Sequence, residues 1–350
     1  MAKRLAFAIP GDLETRTGGY GYDRRILSEL RHLGWQVEVV GLGDGFPLPS
    51  EFQKAAASRQ LTRIPADRPV VIDGLAFGAL PEAATALQAT RPVVALVHHP
   101  LACETGLAQD TAERLRKSER AALAAAHRVI ATSPPTADLL IGRFDVPRDR
   151  LRVIPPGTDP VPQAAGSGAS SLRLLSVGAI VPRKGFDILV EALSTLTDLD
   201  WQLTIAGDRV RDPAAVERLD SVIRRHRLDE RIESLGTVAP ERLARLYLGA
   251  DLFVLASHFE GYGMAYAEAI AHGLPIIGTT GGAIPGTVPA SAGRLVPPGD
   301  SAALARALRD ILTNVQSRRA LAAGARAAAA ALPTWVQSGA AFSRLLDGLA

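Results

Sequence analysis

Short runs of aliphatic and β-branched residues alternate along this chain with longer segments in which apolar positions recur every three or four residues. The runs have strand length and the segments are helical, which is the signature of repeated βαβ units and parallel sheets. Arg4–Ile9 reads as the first strand, Tyr20–Leu33 as a helix and Gln36–Leu42 as the second strand. Val70–Asp73, Val93–Val97, Arg128–Ala131 and Leu151–Ile154 continue the series, with an Ala-rich helix over Gln109–Ala126 among the connections. Pro155-Pro-Gly-Thr158 follows, and the small residues of Gln163–Ser171 carry no periodic apolar face, so 161–171 reads as a linker. A second series starts at once, with strands at Leu172–Val177, Gln202–Ala206, Ile232–Leu235, Leu252–Leu255 and Ile276–Gly278. Helices are expected between them near 184–197, 213–227, 240–249 and 263–272, then near 301–313 and 316–331, with a last amphipathic segment over Thr334–Leu349. The expected fold class is α/β, two doubly wound parallel-sheet domains over 1–160 and 172–332. Such a pair implies a ligand cleft at the C-terminal edges of the strands.

Composition narrows the class without naming a function. At 350 residues, 47% apolar and 21% charged, the chain fits two globular domains and not a disordered polymer. Lys and Arg number 20 through residue 160 and 19 after it, against 18 acidic residues in each part, so neither part is a basic tail and no nucleic-acid partner is expected. The single Cys103 excludes an internal disulfide and fits a reducing compartment. The N-terminal apolar run is too short for a signal peptide and stops at Pro10-Gly11 as a strand would. No stretch approaches the roughly 18 apolar residues of a membrane span. A cytoplasmic enzyme is expected; peripheral contact with the inner face of a membrane is compatible with the sequence but not predicted by it.

The most constrained chemistry lies in Ser257–Gly282, SHFEGYGMAYAEAIAHGLPIIGTTGG. Glu260 and Glu268 flank a Tyr262-Gly263-Met264 turn that opens a helix, and Gly273-Leu-Pro275 stops that helix before the next strand. A strand, a Gly turn and a helix N-terminus converge their unpaired N–H groups into an anion site. Taken singly, an acid near a helix start merely complements the dipole; the pair with its glycines is suited to holding a phosphate by backbone and sugar hydroxyls by carboxylate. A second element, Ser176–Gly185, ends the first strand of the second domain, where Gly178 permits close backbone approach. Arg183 and Lys184 follow it to the same edge, one a fork for phosphate oxygens and the other a point charge.

These elements, in this order and spacing, resemble the family 4 retaining glycosyltransferases, and the resemblance covers essentially the whole chain. It implies the GT-B fold, two Rossmann-like domains, the first binding acceptor and the second the nucleotide-sugar donor, with residues 333–350 forming a helix that crosses back to the first domain. It implies that Glu260 contacts donor-sugar hydroxyls, that Glu268 binds the ribose, and that the backbone at Tyr262, Gly263 and Met264 meets sugar and phosphates. Arg183 and Lys184 would neutralise the leaving diphosphate, and residues near Gly236 would meet the base. Many relatives carry Arg directly after the glycine at 178; here Ala179 stands there, so the phosphate clamp rests on Arg183 and Lys184. No cofactor and no essential metal is expected, the nucleotide-sugar being a co-substrate. The acceptor would be a carbohydrate or lipid-linked molecule, in polysaccharide, lipopolysaccharide or glycolipid assembly.

In the first domain, Thr17-Gly18-Gly19-Tyr-Gly21 precedes a helix, and the glycosyltransferase reading puts Gly18 and Gly19 beside the donor phosphates. As a dinucleotide fingerprint the turn fails, because Arg24 stands where the third glycine belongs. His98 and His99 end a buried strand at the same edge, and the resemblance puts a functional histidine there, with His98 the better match and His99 close behind. Glu104 is an acceptor-side candidate and Cys103 a small buried group. Asp198-Leu-Asp200 spells a metal-binding D-x-D by letters alone; lying between a helix end and a strand start, it reads as a polar loop. Two rivals stand beside this reading: a nicotinamide-dependent oxidoreductase, with Asp44 as its ribose acid, and a non-catalytic nucleotide-binding protein on a related fold.

Overall fold

In the computed structural model, which describes residues 3–349, the chain divides into two compact units. One runs to Gly157 and resumes at Pro333; the other spans Thr158–Leu332.

The first unit opens with β1 (Arg4–Ile9), α1 (Gly18–His32), β2 (Gln36–Gly41), α2 (Glu51–Arg63) and β3 (Val70–Asp73). It continues through α3 (Gly74–Phe77), α4 (Pro81–Gln88), β4 (Val93–Val97), α5 (Gln109–Ala124), β5 (Arg128–Ala131), α6 (Pro134–Phe144) and β6 (Leu151–Val153). The sheet is parallel in the order β2-β1-β3-β4-β5-β6. Strands β3 and β4 are covered on both faces, which is why they read as unbroken apolar runs instead of alternating ones. The Thr17 side chain caps α1 by accepting from the Tyr20 N–H. Tyr22, Ile26, Leu27 and Leu30 then form its buried stripe, each worth about 1.5–3 kcal/mol of transfer free energy.

The second unit repeats the scheme with β7 (Leu172–Val177), α7 (Phe186–Ser194), β8 (Trp201–Ala206), α8 (Pro213–Arg225), β9 (Ile232–Ser234) and α9 (Pro240–Leu248). Then come β10 (Leu252–Val254), α10 (Met264–Ala271), β11 (Ile276–Thr279), α11 (Ile284–Thr287), β12 (Gly293–Val296), α12 (Ser301–Thr313) and α13 (Val315–Ala329). Its order is β12-β11-β10-β7-β8-β9, again parallel. The predicted α/β class of two doubly wound sheets is the one observed. In each unit the chain leaves its first strand in one direction and returns to pair on the other side, between β1 and β3 and between β7 and β10. Those are the switch points where ligands of open α/β sheets bind.

Two features depart from the sequence reading. Strand β12 is not anticipated by it, because an edge strand that begins with Gly and carries an exposed Arg294 offers no apolar run. The small-residue stretch expected to be a loose linker is fastened to the second unit. Ala164 N–H donates to the His272 carbonyl at 2.7 Å, Ser167 N–H to Asp251 Oδ1 at 3.0 Å, and His272 Nδ1 to the Pro162 carbonyl at 2.9 Å.

The last helix, α14 (Trp335–Asp347), belongs to the first unit and packs on α1. Its Trp335 ring lies 5.9 Å from Tyr22 and its Phe342 ring 6.4 Å from Phe7. Ser338 Oγ donates to the Pro155 carbonyl at 2.7 Å, and Trp35 Nε1 donates to Ser343 Oγ at 2.9 Å. Among the described residues, no helix is long and apolar enough to cross a membrane.

Candidate active site

In the second unit the candidate residues converge on one buried carboxylate. A single turn, Pro182–Lys184, follows β7 and ends at Gly185 with φ +62°. A Cβ there would collide with the Ala256 carbonyl oxygen, so glycine is required to bring Arg183 and Lys184 against the end of β10. The His258 N–H donates to the Arg183 carbonyl at 2.7 Å and locks the two segments together. Lys184 Nζ then reaches Glu260 Oε1 at 2.7 Å, and Arg183 Nη1 reaches Glu260 Oε2 at 3.2 Å. Ser257 Oγ donates to the same Oε1 at 2.6 Å. Gly178 lies under the Lys184 stem: a Cβ there would stand 3.1 Å from Lys184 Cε.

The Glu260 backbone is held as firmly. It forms an isolated bridge with Gly282, and the Ala283 N–H donates to its carbonyl at 2.8 Å. Burial opposes its charge, but Lys184, Arg183 and the hydroxyl of Ser257 outweigh that cost and hold the carboxyl at about 2.

Glu268, one turn into α10, is half-buried and accepts from Tyr247 Oη at 2.9 Å. Burial raises its pKa, making it a weaker acid, against the opposing pull of Tyr247 and Lys184. The two glutamates therefore differ: Glu260 is a fixed anion, while Glu268 is held by a single neutral donor. Gly263, with φ +93°, caps α10 from the left-handed region, and a Cβ there would press on Tyr266 Cδ2 at 3.1 Å. The first N–H groups of α10, from Met264, lack intrahelical acceptors by construction. Thr287 Oγ1 donates to the Tyr262 carbonyl at 2.6 Å and fixes the approach to that turn, and burial lifts the Tyr262 hydroxyl to about 12. Gly236 lies apart from the Glu260 cluster in sequence and takes φ +69° after β9, where its carbonyl accepts from the Gly207 N–H at 2.9 Å.

In the first unit the sequence singles out His98, and the structure gives it two partners. Its Nε2 stands 3.0 Å from Asp23 Oδ1 and 3.3 Å from Asp73 Oδ2. Asp23 rises from α1 and is fully buried; Asp73 ends β3 in register with Leu96, so the chain delivers His98 two residues beyond. Gly19 lies against the ring, where a Cβ would approach His98 Cδ2 to 3.3 Å, and Gly18 begins the same helix. His99 is half-buried and does not join this cluster's ion pairs; Glu104 is exposed and accepts from the Thr105 N–H at 3.1 Å. Behind the following turn, Glu119 is buried and accepts from the Leu101 N–H at 2.9 Å, with burial raising it to about 8.

Neither Asp23 nor Asp73 stands out in the sequence. The available signal is a charged residue closing the all-apolar VVI run of β3, and an acid on the buried face of an otherwise apolar helix stripe. The ligand atoms of Asp23, Asp73 and His98 lie within 4.8 Å of one another, the one grouping among the described residues compact enough for a cation. Nε2 already sits at hydrogen-bond distance from both carboxylates, so a ring proton fits the arrangement. Asp198 of the D-x-D is exposed and pairs with Arg309 through both oxygens at 2.7 and 2.9 Å, a surface contact. Arg24, in place of a third fingerprint glycine, bonds to the carbonyls of Leu13 and Thr15, so its side chain closes the turn that a dinucleotide would need open.

Comparison with known proteins decides the family. The sequence pattern of "Glycosyl transferases group 1" matches residues 162–328, and that of "Glycosyltransferase Family 4" matches residues 24–161. The chain belongs to glycosyltransferase family 4. Within and near this family it is 31% identical over 173 residues to mannosylfructose-phosphate synthase of Agrobacterium fabrum, covering 45% of this chain and 38% of that one. It is 32% identical over 227 residues to D-inositol 3-phosphate glycosyltransferase of Xylanimonas cellulosilytica, covering 60% and 54%. The chain thus spans about half the length of these curated relatives or less. Sucrose-phosphate synthase from Thermosynechococcus elongatus superposes with a TM-score of 0.83 at 23% identity over 99% of both chains. Anabaena HepE, solved with UDP-glucose, gives 0.79 at 20% identity over 99% of this chain and 100% of that one. At these identities the likeness establishes the fold, which is GT-B.

Proposed function

We propose that this family 4 chain transfers a hexose from a UDP- or GDP-linked donor to an acceptor hydroxyl, with retention of anomeric configuration and without a metal. The observation that carries the reading is the cluster of Lys184, Arg183 and Ser257 around Glu260, beside the first turn of α10. Two cations around one buried carboxylate leave a net positive charge, and the helix dipole adds to it. That field suits a diphosphate, whose negative charge grows as the glycosidic bond to it breaks. Lys184 and Arg183 would stabilise it as it leaves, and in a site from which water is excluded such preorganised charge is the largest catalytic contribution. Glu260, already fixed at its backbone and by Ser257, would turn a carboxylate oxygen to donor-sugar hydroxyls. Glu268, held only by the Tyr247 hydroxyl, has lone pairs to accept from a ribose. No side chain is placed as a covalent nucleophile in this reading; the leaving phosphate itself takes the acceptor proton.

UDP fits the donor role because HepE, a neighbour in fold, binds UDP and UDP-glucose. The first unit would then serve the acceptor, a carbohydrate or lipid-linked molecule of a polysaccharide, lipopolysaccharide or glycolipid pathway.

The test is a melting-temperature screen of wild type and Glu268→Ala against UDP, GDP, ADP and their sugars. A ligand present at a hundred times its Kd adds about 2.7 kcal/mol to the folded state. Stabilisation by one nucleotide series, reduced in Glu268→Ala, supports the donor site and names the base. No response to any nucleotide, with stabilisation by NADH or NADPH, would overturn the reading.

A further inference from the structure

Two carboxylates on one imidazole nitrogen is more than orientation requires. A single Asp accepting from a ring N–H is enough to set a tautomer and leave the other nitrogen free to act as a base. Here Nε2 faces Asp23 Oδ1 at 3.0 Å and Asp73 Oδ2 at 3.3 Å, and both carboxylates are buried. The ion pairs of Asp23 and Asp73 among the described residues are with His98 alone. A neutral ring would leave that buried negative charge uncompensated, which low-dielectric surroundings make costly.

The cradle is also rigid. The other oxygen of Asp73 accepts from the Leu75 N–H at 2.7 Å and caps α3. Tyr22 packs edge-on to the ring at 5.2 Å, and Gly19 offers no side chain to push it aside. The Thr132 hydroxyl donates to the His98 carbonyl at 3.4 Å. Asp23 Oδ2 is buried and has no hydrogen-bond partner among the described residues, and Asp23 feels the neighbouring Asp73 carboxylate as well as the His98 ring. The titratable groups that face the ring are Asp23 and Tyr22 from α1 and Asp73 from β3, with His99 next in the chain.

We propose that Asp23 and Asp73 are positioning residues that clamp His98 at Nε2 and keep it an imidazolium, so that Nδ1–H is offered to substrate as a charged hydrogen-bond donor and the ring is not a general base. The proposal rests on the glycosyltransferase reading only for the identity of that substrate. Burial disfavours charge on the ring, yet the two aspartates outweigh it and raise His98 to about 10. Burial likewise raises Asp23, to about 7. A permanently charged donor is useful where a sugar hydroxyl must be held without being deprotonated.

The experiment is side-chain NMR of the 15N-histidine-labelled full chain, with His98 assigned by its loss in His98→Gln, in wild type, Asp23→Asn and Asp73→Asn. The expected result is a wild-type His98 protonated on both nitrogens from about pH 6 through about 8.5, where an ordinary histidine with a pKa of about 6.5 loses its charge. In Asp23→Asn its midpoint falls by about one to two pH units, and the alkaline limb of kcat/KM with a nucleotide-sugar moves down with it. Asp73→Asn, which also keeps side-chain shape, does the same if Asp23→Asn does not fold. A wild-type His98 that is singly protonated at pH 7 overturns the clamp, as does a midpoint that neither variant moves. Broadening of the His98 signal by micromolar-range Mn2+, reversed by chelator, overturns it in favour of a cation site. The NMR outcome stands whether or not any nucleotide-sugar is turned over, so a failed clamp and a failed glycosyltransferase reading are told apart.

Discussion

The two units answer the same architecture with opposite charge. At the switch point of the first, one imidazole, His98, meets two buried carboxylates at a single ring nitrogen. At the switch point of the second, one buried carboxylate, Glu260, sits between two cations. Each central group is held charged across neutral pH by what surrounds it, but the first cluster is rich in carboxyl groups and the second in cations. Carboxylates accept from hydroxyls, while Lys and Arg meet phosphate. Duplication of a fold thus leaves its ligand preference open, and a few residues at strand ends decide it.

The sharpest way to break this contrast is to remove the centre of the second cluster. Glu260→Ala leaves Lys184 and Arg183 without their shared partner and is expected to cost about 3–5 kcal/mol, read by urea unfolding; a loss below 1 kcal/mol would mean the cations relax into water. Next in size is Gly185→Ala, which forces a side chain into a left-handed turn against the Ala256 carbonyl. It should cost roughly 1–3 kcal/mol and weaken the proposed nucleotide binding, read by calorimetric titration with UDP, since it displaces both cations at once.

Acidity sharpens the contrast further. Glu260 is held at about 2 against an ordinary 4.5, so its contribution to stability is complete above 4.5 and is lost as pH falls through about 2. His98 is raised from 6.5 to about 10, so its contribution is complete below 6.5 and is lost as pH rises through about 10. Unfolding free energies measured from pH 2 to 10 should therefore lose their acid limb in Glu260→Gln and their alkaline limb in His98→Gln. The same limb lost in both variants would refute the opposition. Tyr247→Phe removes the donor to Glu268 and should cost about 1 kcal/mol while lifting Glu268 further, seen as a shift of its carboxyl carbon resonance. Smallest is the control: Arg309→Ala breaks an exposed, solvent-screened pair with Asp198 and should leave the urea unfolding curve and nucleotide binding essentially unmoved.

Much of the fold can be read from the sequence, because buried parallel strands and striped helices write themselves as apolar periods. Strand β12 cannot, since it lies at a sheet edge and alternates small, charged and apolar residues. The fastening of 163–167 to the second unit is equally silent, as it is made largely by backbone groups that any residue carries. Arg183, Lys184 and Glu260 are legible as chemistry because they sit beside glycines at strand ends, but their bonding to one another is not. Asp23 and Asp73 are illegible for a plainer reason: 25 to 75 residues separate each from His98, and an acid at a strand end or inside a helix has many uninformative explanations until the third partner is placed.

The position of α14 has a consequence for how the molecule is made. The chain emerges from synthesis with all of β1 to β6 first, yet Trp335 and Phe342, which cover Tyr22 and Phe7, come after the whole of the second unit. The first unit to appear is therefore the last to be finished. Until the ribosome has passed residue 347, the apolar face of α1 waits without its cover, and a frameshift or stop anywhere in the second unit would also strip the first.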